Sequence, residues 1–74
     1  MSSSLKRLAS VERGESVVIE VVGAAGAHGL RLRELGFARG RKVRVLETHD
    51  PMLCVVDQAR VGLARELAEG ILVQ

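Results

Sequence analysis

A mainly β fold, a small barrel or sandwich of short strands with one short helix inserted after the first long strand, is what this sequence predicts. Three observations carry it. Short runs rich in Val, Ile and Leu are separated by turn residues along most of the chain. Residues 24–36 contain no β-branched residue, and the Leu, Arg, Glu and Ala found there are strong helix formers. The chain has 74 residues, 47% of them hydrophobic, which suits one folded domain and no more.

The elements follow in order. Leu5 and Leu8 read as apolar anchors ahead of a turn at Glu12-Arg13-Gly14. In residues 16–22, Val17, Ile19 and Val21 alternate with Val18, Glu20 and Val22, the pattern of a strand. Gly23-Ala24-Ala25-Gly26 breaks it. Leu30-Arg31-Leu32-Arg33 alternates like a strand, yet His28, Leu32 and Leu35 share one helical face, and a helix over about 26–35 is expected. Gly36 and Phe37 decide the matter. A glycine in the left-handed conformation at C′ ends a helix, and the hydrophobic residue after it folds back, here Phe37 onto Leu32.

Ala38-Arg39-Gly40 then makes a turn, and 41–48 a second strand, with Val43 and Val45 on one face and Lys42 and Arg44 on the other. Thr48-His49-Asp50-Pro51 is a polar loop, because Pro51 cannot donate to a ladder. Residues 52–56 form a third strand that turns at Asp57-Gln58 into a fourth, 59–63, weakened by Gly62. Residues 64–69 favour one helical turn stopped by Gly70, and 71–73 close the fold as a last strand. The core is expected from Val17, Ile19, Val43, Val45, Val55 and Leu67. Leu32 and Leu35 should pack on Val43 and Val45, with Gly36 at positive φ.

Composition excludes several functions. Cys54 is the single cysteine, so neither an internal disulfide nor a multi-cysteine zinc knuckle is available. No apolar run approaches the roughly 18–20 residues of a membrane span, and the start Met1-Ser2-Ser3-Ser4 lacks the apolar core of a signal peptide. A soluble, reducing, cytoplasmic setting is expected. Phe37 is the only aromatic residue, which argues against modules that stack nucleic-acid bases. A chain already filled by a barrel leaves no helix-turn-helix, so DNA binding is not expected. Domains below about 70–80 residues rarely gain more than roughly 3–5 kcal/mol from one core. This one must be tightly packed or helped by a partner.

Catalytic candidates are weak. Cys54 lies in the apolar run Met52-Leu53-Cys54-Val55-Val56, where a small buried thiol is the ordinary outcome. Glu66 and Glu69 are three residues apart on a helical turn, as solvated carboxylates often are. The stretch from Gly23 to Gly29 is neither G-x-G-x-x-G nor a P-loop. No enzyme is expected. His28, His49, Glu47, Asp50 and Cys54 are metal-ligand types without a recognised spacing. Of these, His49, Glu47 and Asp50 come before Cys54 as weak metal candidates. No cofactor is expected to be required. Any divalent ion should be an adventitious or regulatory surface ligand, dispensable for folding.

Charge is the stronger signal. The net charge is +2, but 31–44 carries Arg31, Arg33, Arg39, Arg41, Lys42 and Arg44 against Glu34 alone. Such a patch is either a solvated rim or a contact surface for something acidic. Arg31, Arg33, Arg39 and Arg41 are the candidate partner-binding residues, arginine being suited to bidentate contact with carboxylates.

The segment Gly29-Leu30-Arg31-Leu32-Arg33-Glu34-Leu35-Gly36-Phe37-Ala38-Arg39-Gly40, followed by Lys42-Val43-Arg44-Val45, resembles the signature of FeoA-type proteins, small cytoplasmic accessories of bacterial ferrous iron transport. Arg60-Val61-Gly62-Leu63-Ala64-Arg65-Glu66-Leu67-Ala68, closing on Ile71-Leu72-Val73, resembles the family's second block, and residues 5–19 also fit. Arg39 stands where the family's turn often has proline, and His49-Asp50-Pro51-Met52 replaces an often glycine-rich loop. The resemblance implies an SH3-like β-barrel, with Leu32, Leu35, Gly36, Phe37 and Gly40 as its structural residues. It also implies a non-enzymatic accessory role on the cytoplasmic part of the membrane transporter FeoB, at the inner membrane through that partner. Similar domains end iron-dependent repressors of the DtxR type. A metal-responsive or RNA-associated barrel using the basic patch is the alternative, and homo-oligomerisation stays open.

Overall fold

In the computed structural model, which describes residues 4–74, one antiparallel sheet carries the chain. Its strands are β1 (Lys6–Arg7), β2 (Ser16–Val22), β3 (Lys42–Glu47), β4 (Met52–Val56), β5 (Ala59–Leu63) and β6 (Ile71–Val73). Helix α1 (Gly26–Glu34) lies between β2 and β3, the one-turn α2 (Arg65–Ala68) between β5 and β6, and a 3-10 turn, Leu8–Ser10, follows β1. The strand order is β1-β6-β2-β3-β4-β5. The mainly β architecture and the inserted helix are those the sequence predicts. The predicted strand over 41–48 is one residue shorter at each end.

β2 serves two ladders. Ser16, Val17 and Val18 pair with Arg44, Val43 and Lys42 of β3. From Ile19 onward the strand pairs with β6, through a register shift between Ile19 and Val21. Both halves of the sheet face one core, in which Leu8, Val11, Ile71 and Val73 meet Val43, Val45, Met52, Cys54 and Val56. The sheet therefore curls at β2, as a small barrel must.

The helix closes as its sequence requires. Gly36 has φ +101°. Its N–H donates to the Arg33 carbonyl at 3.0 Å, and the Phe37 N–H donates to the Leu32 carbonyl at 2.9 Å. These are the two bonds of a Schellman motif. Leu32 and Phe37 are fully buried, and Leu35 is half-buried against the same core. His28 is exposed rather than facing inward. Gly29 takes the inward place, and only glycine fits there, because a Cβ would lie 2.5 Å from the Ala24 carbonyl oxygen.

Three core expectations need correction. Leu8 is buried, but Leu5 is 45% exposed, since β1 lies at the sheet edge and turns Leu5 outward. Val55 is half-buried on the outer face, because β4 turns Met52, Cys54 and Val56 inward. An all-apolar run does not announce which parity faces the core. Leu67 is half-buried against the core rather than within it, and Ala68 is the fully buried residue of α2. The strand β1 and the buried Val11 carry no local pattern that the sequence reading detected.

Two residues on the β4–β5 hairpin also sit at positive φ, Asp57 at 51° and Gln58 at 68°. Positive φ at both central residues defines a type I′ turn. Glycine chemistry thus predicts opposite signs at two positions. Gly36→Ala forces a left-handed alanine, costing about 1–2 kcal/mol, with its Cβ 2.9 Å from Val56 Cγ1. Gln58→Gly relieves a left-handed side chain and should gain roughly 0.5–1 kcal/mol. Thermal melts should show the first variant lowered and the second raised, by about 4–8 °C per kcal/mol.

Candidate partner-binding surface

The cations of residues 31–44, together with Arg60, fall into three groups. Arg31 and Arg33 are exposed in the last turn of α1, where positive charge complements the helix dipole. Arg39 and Arg41 flank the Gly40 turn, which is fixed to β2 by the Gly40 N–H donating to the Ile19 carbonyl at 2.8 Å. Both are engaged within the molecule. Arg39 Nε lies 4.0 Å from Glu20 Oε1, and Arg41 forms an ion pair with Asp57. The third group, Lys42, Arg44 and Arg60, projects from the exposed side of the β3–β4–β5 sheet.

Register places that third group. Ser16 pairs with Arg44, Arg44 with Val55, and Val55 with Arg60, so these residues form one row across four strands. Lys42 and Leu53 lie two residues along their strands from this row and share its face. Val55 and Leu53 are half-buried. Two shallow grooves meet at Arg44. One, of about 350 Å³, is bounded by Arg13, Glu47, Leu53 and Arg60, and the other, of about 400 Å³, by Ser16, Lys42, Val55 and Asp57. Arg60 was not part of the sequence patch. The signal was available: a two-residue turn at Asp57-Gln58 sets Val55 opposite Arg60.

Of the three weak metal candidates, Glu47 and His49 are neighbours, with His49 Nε2 3.7 Å from Glu47 Oε1. Asp50 faces elsewhere: its Oδ1 accepts the Arg65 backbone N–H at 3.1 Å and caps α2, whose own N-cap, Ala64, has no side-chain acceptor. No group of three His, Cys, Asp or Glu side chains converges among the described residues. The Arg65 guanidinium donates to the Thr48 and Ala9 carbonyls at 2.7 and 2.8 Å, tying α2 to the β3–β4 loop and to the 3-10 turn.

Cys54 is fully buried. Burial pushes its thiol up to about 11, which leaves it protonated and unreactive near neutrality. The Glu15 carboxyl is held below its ordinary value, chiefly by the Glu12 N–H that donates to it at 2.8 Å and secondarily by Lys6. Phe37, the single aromatic residue, is buried, so the described surface offers no stacking platform.

Six short antiparallel strands curled around one core, with a helix between the second and third, define a small SH3-like domain. The FeoA domain family model matches residues 6–74. The chain belongs to the FeoA family, whose members are associated with ferrous iron transport. Among solved structures, the FeoA of Stenotrophomonas maltophilia complexed with zinc, described as a prokaryotic SH3 domain protein, is 30% identical, with a TM-score of 0.83 over 93% of this chain and 89% of that one. The FeoA protein of Chlorobium tepidum is also 30% identical, with a TM-score of 0.87 over 93% and 69%. The IdeR of T. acidophilum, at 16% identity, shares the fold with a TM-score of 0.90, over all of this chain and 35% of that one. No curated protein sequence matches the chain.

The buried thiol gives a sharp test. Alkylation of native Cys54 at pH 8 should be slow and should accelerate only with unfolding, as read by mass spectrometry against denaturant concentration. The pH dependence has a definite sign. The folded thiol holds its proton more tightly than the unfolded one, so its contribution to stability is present below the unfolded thiol's pKa, near 8.5. It is lost as pH rises toward about 11. Cys54→Ala should remove that alkaline limb from melts recorded between these values.

Proposed function

We propose that this protein is a non-enzymatic accessory or regulatory component of ferrous iron uptake that binds the cytoplasmic portion of the transporter FeoB. Family membership supports the iron-transport setting. The observation that carries the binding role is the exposed cationic surface, much of which has no acidic partner in the molecule. Among the described residues, Arg31, Arg33, Lys42, Arg44 and Arg60 form no ion pair, while five other cations do. An uncompensated surface of this kind raises the on-rate for an acidic partner and makes association salt-sensitive. Arg31 and Arg33 are available for such contact as they stand, whereas Arg39 and Arg41 would exchange Glu20 and Asp57 for acids of the partner. No cofactor enters this role. A divalent ion held by Glu47 and His49 would be peripheral, and chelation should leave the thermal melt unchanged.

The test is binding to the soluble cytoplasmic portion of FeoB without lipid. Association should weaken as salt is raised, and Arg31→Glu with Arg33→Glu should weaken it several-fold while the protein stays folded. Absence of a complex at low salt would end the proposal.

A further inference from the structure

We infer that the outer face of β3–β4–β5 is a docking surface for an acidic segment of a partner protein, centred on Val55 between Arg44 and Arg60. Adjacent strands are about 4.8 Å apart, so these two arginines, two strands from each other, have backbones roughly 10 Å apart. Val55 lies between them in the same cross-strand row. Lys42 extends the positive field along β3.

Charge complementarity identifies the occupant. Elsewhere on the sheet and its turns, cations sit beside acids, Lys6 with Glu15, Arg7 with Glu69, Arg13 with Glu47, and Arg41 with Asp57, while the unpaired Arg31 and Arg33 lie on α1. Lys42, Arg44 and Arg60 have no such partner among the described residues, and they repel one another across a half-buried apolar floor. A polypeptide presenting carboxylates on either side of an apolar side chain satisfies both features. The carboxylates take bidentate contacts from the guanidinium groups, and the apolar side chain covers Val55. Nucleic acid fits less well, because the single aromatic residue, Phe37, is buried. An anionic lipid surface also fits less well. The exposed large apolar side chains, Leu5, Val21 and Leu30, lie outside this row, so the face offers no wedge for insertion. That the partner is the cytoplasmic portion of FeoB rests on the function proposed above; the chemistry of the surface does not.

The experiment follows backbone amide shifts of labelled protein during four titrations. The probes are a ten-residue peptide of alternating Glu and Val, the cytoplasmic portion of FeoB, polyuridylate, and vesicles containing phosphatidylglycerol. The peptide should shift Lys42, Arg44, Val55 and Arg60. Arg44→Glu with Arg60→Glu should weaken its binding at least about tenfold. Arg44→Gln with Arg60→Gln, milder for folding, should act in the same direction, with melts confirming a folded protein. Binding of the peptide here without binding of the FeoB portion supports the surface and removes the transporter as its partner. Binding of either variant within about twofold of wild type, shifts confined to Arg31 and Arg33, or tighter binding of polyuridylate or vesicles than of the peptide overturns the assignment.

Discussion

The fold depends on β2 being shared. Its first residues complete the ladder with β3 and its last complete the ladder with β6, and the register shift between Ile19 and Val21 makes the change of partner feasible. Without it the chain would be two small sheets, each too small to bury its apolar face. With it, Val17 and Ile19 stand at the bend and touch one common core. The junction is crowded. A Cβ at Gly23 would lie 2.7 Å from the Gly70 carbonyl oxygen, the group that accepts the Gly23 N–H at 2.7 Å. Where β2 ends, only a residue without a side chain lets the backbones meet.

What could be read from sequence was local. The closure of α1 depends on residues a few positions apart, and the Gly36-Phe37 pair announces it. The hairpin between β4 and β5 is equally local. What escaped was long-range. β1 is strand only because Lys6 and Arg7 lie beside Val73 and Leu72. Val55 faces outward because β4 has to bring Cys54 and Val56 to the core, a choice of parity that five consecutive apolar residues conceal. Segment 31–44 was legibly basic, but which of its cations are spoken for depended on partners far along the chain. Asp57 reaches Arg41 and Glu20 reaches Arg39 only after folding.

The exposed ion pairs do not hold this protein together, since such pairs are worth at most about 1 kcal/mol each in water. Their effect is to partition the surface. Where an acid sits beside a cation, the local field is quiet. On the outer face of β3, β4 and β5 the two acids that bound the grooves, Glu47 and Asp57, are paired with Arg13 and Arg41, so Lys42, Arg44 and Arg60 stand without ion-pair partners over apolar side chains that are only half-covered. Arg65 shows the other use of arginine in the same chain. Half-buried and donating to two backbone carbonyls, it fastens segments that share no strand pairing with one another.

The position of β6 sets an order of events during synthesis. It lies between β1 and β2 and pairs with both, so the two earliest strands, which never pair with each other, are joined only once residues 71–73 have left the ribosome. The hairpin of β3, β4 and β5 can pair as soon as it emerges, while Leu8, Val11 and the far half of β2 must wait with their apolar side chains uncovered. The native topology thus requires β6 to be inserted between β1 and β2, whereas β3, β4 and β5 pair with one another without it. The nascent chain stays exposed to aggregation and to chaperones until that insertion is complete.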